Sequence, residues 1–176
     1  MDVIVNADDL GMNERIDRSI FELIGKGLVT SASLLANGPS IESACVGIHK
    51  HPYCSFGAHL NVTEFQPLSG AENLGPLLDG KGELIMGRVR ELAIDSSLAE
   101  GIFQEFCAQI DKLISLGVPI SHLDSHNYVL STSRMFPILK RVQKKYQIRK
   151  VRITRNIYAD GLISKLGLTP FALGVD

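Results

Sequence analysis

Asp8 and Asp9 stand side by side just past Val3 to Asn6, a short β-branched run that reads as a first strand. Neighbouring side chains on extended backbone point to opposite sides. Two acids at a strand end can therefore divide their work, one binding a metal while the other faces an attacking water. A plainer fate is a solvated loop in which one Asp caps the next helix, and the pair alone does not decide between them. His59, in the run GAHLN, ends another extended segment, Cys54 to Asn61, which Gly57 is expected to break. Asp124 and His126, in SHLDSHN, end a third that begins at Pro119. A lone histidine is more often a core residue with a satisfied ring, and Asp124 with Ser125 can simply stabilise a turn. A carboxylate close to a histidine can also orient its ring towards a metal. His122 shares a strand face with Asp124 and reads as structural, whereas His49 and His51 flank a turn before Pro52 and read as solvated.

Coincidence gives these residues their force. Asp9, His59 and His126 each fall at the carboxyl end of a separate candidate strand, and parallel strands bring such ends together. One Asp and two His form a common three-ligand set that leaves positions open for water. Zinc, magnesium, manganese, cobalt and iron(II) all suit it. A bound ion lowers the pKa of its water and polarises a carbonyl, and Asp8 beside it is placed to act as general base.

The elements that must position these groups alternate. After the first strand, Asn13 is a natural N-cap with Glu14 in the first turn, and Ile16, Ile20, Leu23 and Ile24 recur at helical spacing up to a stop at Gly27. Leu28 to Ala36 is extended, Ile41 to Ile48 fits a short helix, and Leu98 to Ile114 is an amphipathic helix ending at Gly117. Met135 to Tyr146 marks another helix, and Lys150 to Thr154 a fifth strand. Between them, Thr63 to Gly87 holds Pro67, Pro76 and five glycines without clear periodicity, which suggests a loop on the substrate side. Strand–helix alternation predicts an α/β fold with a mainly parallel sheet. A closed eight-stranded barrel usually takes ~250 residues, so the five or six strands that fit in 176 residues form an open sheet or part of something larger.

Composition narrows the classes further. Eighteen basic and 19 acidic residues give a formal charge of -1, which excludes a basic nucleic-acid footprint. No apolar run approaches the ~20 residues of a membrane helix, and no basic n-region opens a signal peptide. Cys45, Cys54 and Cys107 are an odd, unpatterned set that reads as reduced thiols, so the expected location is cytoplasmic.

VNADDLG at 5–11, GAHLNVTE at 57–64 and HLDSH at 122–126, with KVRITRN at 150–156, closely resemble the signature segments of the YdjC-like (ChbG-type) carbohydrate deacetylases. The resemblance runs the length of the chain. It implies a distorted or incomplete (β/α) barrel of the polysaccharide-deacetylase-like type, as a single domain over 1–176 without the carboxyl-terminal part of the family fold. It also implies one divalent ion, magnesium or zinc first, hydrolysis of N-acetyl groups on amino sugars or chitooligosaccharides, and a homodimer. Carried over by position, Asp9, His59 and His126 match the metal ligands and Asp8 the catalytic base. Asn61, Thr63, Arg152 and Arg155 are then placed to touch sugar hydroxyls. Tyr128 and Leu130 stand where the family often has further histidines, so a non-catalytic relative that binds a sugar or a partner chain is the alternative expectation.

Overall fold

Four short strands, Asn6–Leu10 (β1), Ser31–Leu34 (β2), Ser55–Leu60 (β3) and Ile120–Ser125 (β4), pair in chain order and are all parallel. They are seen in a computed structural model that describes residues 3–70 and 72–152. Helices Glu14–Gly25 (α1) and Ile41–Ile48 (α2) make the first two crossovers. The third is longer and includes Arg88–Glu91 (α3) and Ser96–Ser115 (α4), while Phe136–Tyr146 (α5) follows β4. The expected α/β fold with a parallel sheet is therefore present.

The helices form where their sequences cap and pattern them. Asn13 Oδ1 accepts from Ile16 N at 3.0 Å, and Asp95 Oδ1 accepts from Leu98 N at 2.8 Å, satisfying first-turn donors of α1 and α4. Gly27 takes a left-handed φ of 70° where α1 stops. Along α4, Leu98, Ile102, Phe106, Ile110 and Leu113 repeat every three or four residues and are all buried, so one stripe of the helix seals the sheet.

The sheet has two chemically different faces. Ala32 and Leu34 of β2, Phe56, Ala58 and Leu60 of β3, and Leu123 of β4 are buried in the apolar core. The alternate residues, Asn6 and Asp8, Ser31 and Ser33, Gly57 and His59, His122 and Asp124, line the opposite face. That polar face is concave. Val151 bridges in parallel to Leu123, next beyond β4, yet Arg152 reaches back to Asp8 on β1 at 2.7 Å. In a flat sheet those positions would lie about 19 Å apart, four strand spacings, so the sheet must curl like an arc of a barrel.

Three expectations change. The first strand begins at Asn6, and Val3, Ile4 and Val5 are exposed, because β2 starts only at Ser31 and Val5 O is already its first partner, accepting from Thr30 N and Ser31 N. The two acids thus lie inside β1, where the register shifts between Ala7 and Leu10 and Asp9 takes a φ of 68°. Gly57 does not break β3. It makes room for a neighbour, since a Cβ there would lie 2.4 Å from His122 Nε2 in the adjacent strand. The segment from Thr63 to Gly87 is organised by a 3-10 turn at Glu72–Leu77, with Leu74 and Leu77 fully buried, and by an antiparallel bridge between Leu78 and Leu84. Of the expected fifth strand, Val151 pairs with Leu123, whereas Ile153 and Thr154, like the expected sugar contact Arg155, lie outside the described residues. No described helix is long and apolar enough to cross a membrane.

Candidate metal centre

Asp9, His59 and His126 come together as the strand-end argument requires, each offering one ligand atom within 4.8 Å of the other two. The backbone is specialised around them. Asp9 is left-handed, and so are Asn127 and Tyr128 directly after His126, with φ values of 51° and 55°. Such conformations in residues with a side chain persist only where the surroundings hold them, and they cluster at functional sites.

A carboxylate stands behind the first histidine. His59 is fully buried, and its Nδ1 lies 2.6 Å from Asp124 Oδ1. An ionised carboxylate only accepts, so Nδ1 carries the proton and Nε2 faces Asp9 Oδ1 at 3.3 Å. Asp124 is itself held, its Oδ2 accepting from Ser33 Oγ at 2.5 Å and lying 3.1 Å from an Arg152 nitrogen. His126 Nδ1 lies 2.8 Å from Asp9 Oδ1, and its Nε2 lies 3.2 Å from Glu64 Oε2. Asp9 Oδ1 is close to two ring nitrogens and buried, yet among the described residues no N–H is aligned on it. An oxygen and two imidazole nitrogens converging without hydrogen-bond geometry are the donor set that a divalent cation satisfies.

The electrostatics agree. Burial opposes charge on Asp9, but the attraction of the neighbouring His126 and His59 rings outweighs it and holds the carboxyl far below the usual carboxylate range. Burial likewise disfavours the His59 cation, but Asp124 and Asp9 push its pKa up to about 9.

Asp8, His59 and Asp124 form a second group of suitable spacing. It fits a cation less well, because its oxygens already have donors. Asp8 Oδ1 and Oδ2 accept from the two terminal nitrogens of Arg152 at 2.7 and 2.9 Å, and Asn6 Nδ2 donates to Oδ1 at 2.7 Å. A guanidinium beside two carboxylates supplies the countercharge that a metal would otherwise supply.

The expected sugar contacts sit differently from one another. Asn61 and Thr63 are buried, with their polar atoms spent on a turn. Asn61 Oδ1 accepts from Thr63 N, Thr63 Oγ1 and Glu64 N at 2.8, 3.0 and 3.2 Å, and Asn127 Nδ2 donates to Thr63 Oγ1 at 3.1 Å. Arg152 is engaged by Asp8 and Asp124, as above. His122 is part of the wall, packed over Gly57 with Nε2 3.4 Å from Ser33 Oγ. His51 stacks on Phe21 with ring centroids 5.4 Å apart. A cavity of about 550 Å³ is lined by Asp124, Tyr128, Phe136, Lys140, Arg149 and Arg152 among others.

Two residues at the site carry no sequence signal: Glu64, which touches His126, and Ser33, which holds the Asp124 carboxylate behind His59. Glu64 lies within GAHLNVTE, but only the turn built by Asn61 brings it back to His126. Ser33 carries no motif, and it was findable only through the register that sets Ser33 beside Gly57 and Gly57 beside His122.

The YdjC-like protein family matches residues 2–170. The carbohydrate deacetylases of Vibrio campbellii and Geobacillus stearothermophilus are each 32% identical to this chain, covering 84% and 90% of it. That of Brevibacillus brevis is 34% identical over 84% of it. The chain spans 57%, 68% and 58% of those three proteins, respectively, so about three fifths of the curated relatives' length. Among solved structures, a candidate cellobiose-phosphate cleavage protein from Enterococcus faecalis superposes with a TM-score of 0.78 at 25% identity, covering 94% of this chain and 62% of that one. A lactam utilization protein from Thermus thermophilus, at a TM-score of 0.53 and 21% identity over 96% of this chain and 64% of that one, shares the fold.

Proposed function

Given that this chain belongs to the YdjC-like protein family, we propose that it forms the metal-binding part of a carbohydrate deacetylase that removes N-acetyl groups from amino sugars or chitooligosaccharides. The observation that carries the proposal is Asp9 Oδ1, buried, unmatched by any aligned N–H among the described residues, and faced by His59 and His126. The relatives named carbohydrate deacetylase support deacetylation of a sugar. Asp9, His59 and His126 would hold one divalent ion, magnesium or zinc. When bound, such an ion lowers the pKa of its water and polarises the acetamide carbonyl.

The remaining work falls to this chain's own groups. Asp8 is the adjacent carboxylate and the proposed general base, taking the proton from the attacking water. Its two oxygens carry about four lone-pair sites, of which Arg152 and Asn6 use three, so one direction stays available while the carboxylate is fixed in place. Arg152 thus holds the base, and Asn61 with Thr63 holds the turn behind His126. The neighbouring cavity gives a sugar room beside Asp124 and Arg152.

A second reading, a non-catalytic relative that binds a sugar or a partner chain, is favoured by one observation: both Asp8 oxygens are already held by a guanidinium. Acetate release from chitooligosaccharides by the ion-loaded chain separates the two. The proposal expects release that Asp8→Asn abolishes. Sugar binding without any release favours the second reading.

A further inference from the structure

We infer that Glu64 is a positioning residue for the candidate centre, fixing the ring orientation and tautomer of His126 as Asp124 fixes those of His59. The inference rests on the metal reading proposed above, and it adds a residue to that site. His126 Nε2 lies 3.2 Å from Glu64 Oε2, on the side of the ring away from the 2.8 Å approach of Nδ1 to Asp9 Oδ1. Neither carboxylate can donate, but only the Nε2–Glu64 contact has hydrogen-bond geometry, the shorter Nδ1–Asp9 contact being misaligned, so the Nε2 proton belongs on Glu64 and the Nδ1 lone pair faces Asp9. The two histidines are wired as counterparts. Each has its far nitrogen on a carboxylate and its near nitrogen on the same Asp9 oxygen, with the rings 5.4 Å apart at an interplanar angle of 70°. Outer carboxylates of this kind fix tautomers and raise ligand basicity.

Glu64 does not arrive there by chance rotation of a surface side chain. Its backbone is clamped from two strand ends. Asn61 Nδ2, after β3, donates to Glu64 O at 2.8 Å, and Asn37 Nδ2, after β2, donates to the same oxygen at 3.1 Å. The next residue, Phe65, is turned into the left-handed region at a φ of 65°. Beyond it, the fully buried carboxylate of Glu105 on α4 accepts from Leu68 N at 3.0 Å and Ser69 N at 2.7 Å. Gln109, one turn on, donates to Glu105 at 2.7 Å and brackets Asn61, donating to its carbonyl at 2.6 Å and accepting from its N–H at 2.9 Å. The core helix thus sets the path of the segment that presents Glu64 to His126.

The test uses the whole chain and two substitutions at a half-buried position, Glu64→Ala and Glu64→Gln. Long-range nitrogen–proton correlation on the ion-free protein, recorded on the alkaline side of the histidine titrations, reports the His126 tautomer directly. Wild type should show Nε2 protonated and Nδ1 bare, and Glu64→Ala should show a tautomer mixture. Glu64→Gln, whose amide oxygen still accepts, should restore the wild-type pattern. Calorimetry with zinc and manganese should show affinity lowered roughly 10–100-fold in Glu64→Ala and within a few-fold of wild type in Glu64→Gln. An unchanged tautomer and affinity in Glu64→Ala would overturn the inference. Failure of the metal reading looks different: wild type would bind no ion, while the tautomer spectra would still show whether Glu64 sets the ring.

Discussion

Asp124→Asn is a nearly isosteric exchange, and the structure says why it should still disable the centre. Three donors surround the carboxylate: His59 on Oδ1 at 2.6 Å, and Ser33 and Arg152 on Oδ2 at 2.5 and 3.1 Å. An asparagine offers one acceptor and one donor end. Turning its NH2 towards Arg152 sets donor against donor, and a guanidinium cannot accept. The amide therefore keeps its oxygen on Ser33 and Arg152 and points its NH2 at His59. His59 must then accept at Nδ1 and carry its proton on Nε2, the nitrogen that faces Asp9. That ring can no longer offer a lone pair to an ion. Loss of such an orienting carboxylate typically lowers metal affinity 10–100-fold, about 1.4–2.7 kcal/mol, and here the tautomer reversal puts the effect at the upper end. Calorimetric titration with zinc gives the affinity, and nitrogen–proton correlation gives the His59 tautomer. A variant that binds the ion as tightly as wild type, with Nε2 still bare, would refute the reasoning.

Other outcomes follow from the same contacts. Asp8→Asn should leave ion affinity within a few-fold, because Asp8 is outside the three-residue group, and should lower acetate release by orders of magnitude in a turnover assay. In the ion-free protein, the His59 pKa is raised from 6.5 to about 9. This group therefore contributes stability that is fully present below pH 6.5 and lost as pH rises through about 9, as denaturant titrations at fixed pH would show. The same proton competes with a metal, so apparent ion affinity should weaken about tenfold per unit as pH falls below that value, with proton release seen by calorimetry in two buffers. Gly57→Ala should cost about 1–3 kcal/mol, as overpacking does, because its Cβ would meet the His122 ring at 2.4 Å, and thermal unfolding measures it.

Much of the site was legible because its residues sit at the ends of parallel strands. Asp9, His59 and His126 needed no knowledge of loops, since strand alternation and a common direction bring their ends together. Ile41–Ile48 was equally plain, its apolar residues and flanking turn residues agreeing on one answer. What stayed hidden depended on contacts far apart in sequence. Arg152 reads as a cation free to meet a sugar until the curl of the sheet sets it against Asp8, 144 residues away. Gly57 reads as a strand breaker until the neighbouring strand's register brings His122 over it. Glu64 looks like a solvated acid unless the Asn61 turn and the buried Glu105–Gln109 pair are known. Local pattern identifies elements, whereas side-chain partners across the concave face come from closure.

The most direct test of the centre is the stoichiometry and affinity of divalent-ion binding, by calorimetry with elemental analysis, in wild type and in His126→Ala. One ion per chain is expected in wild type, and loss of that ion in the variant. An ion that binds equally well without His126, or a wild-type chain that binds none, would contradict that expectation.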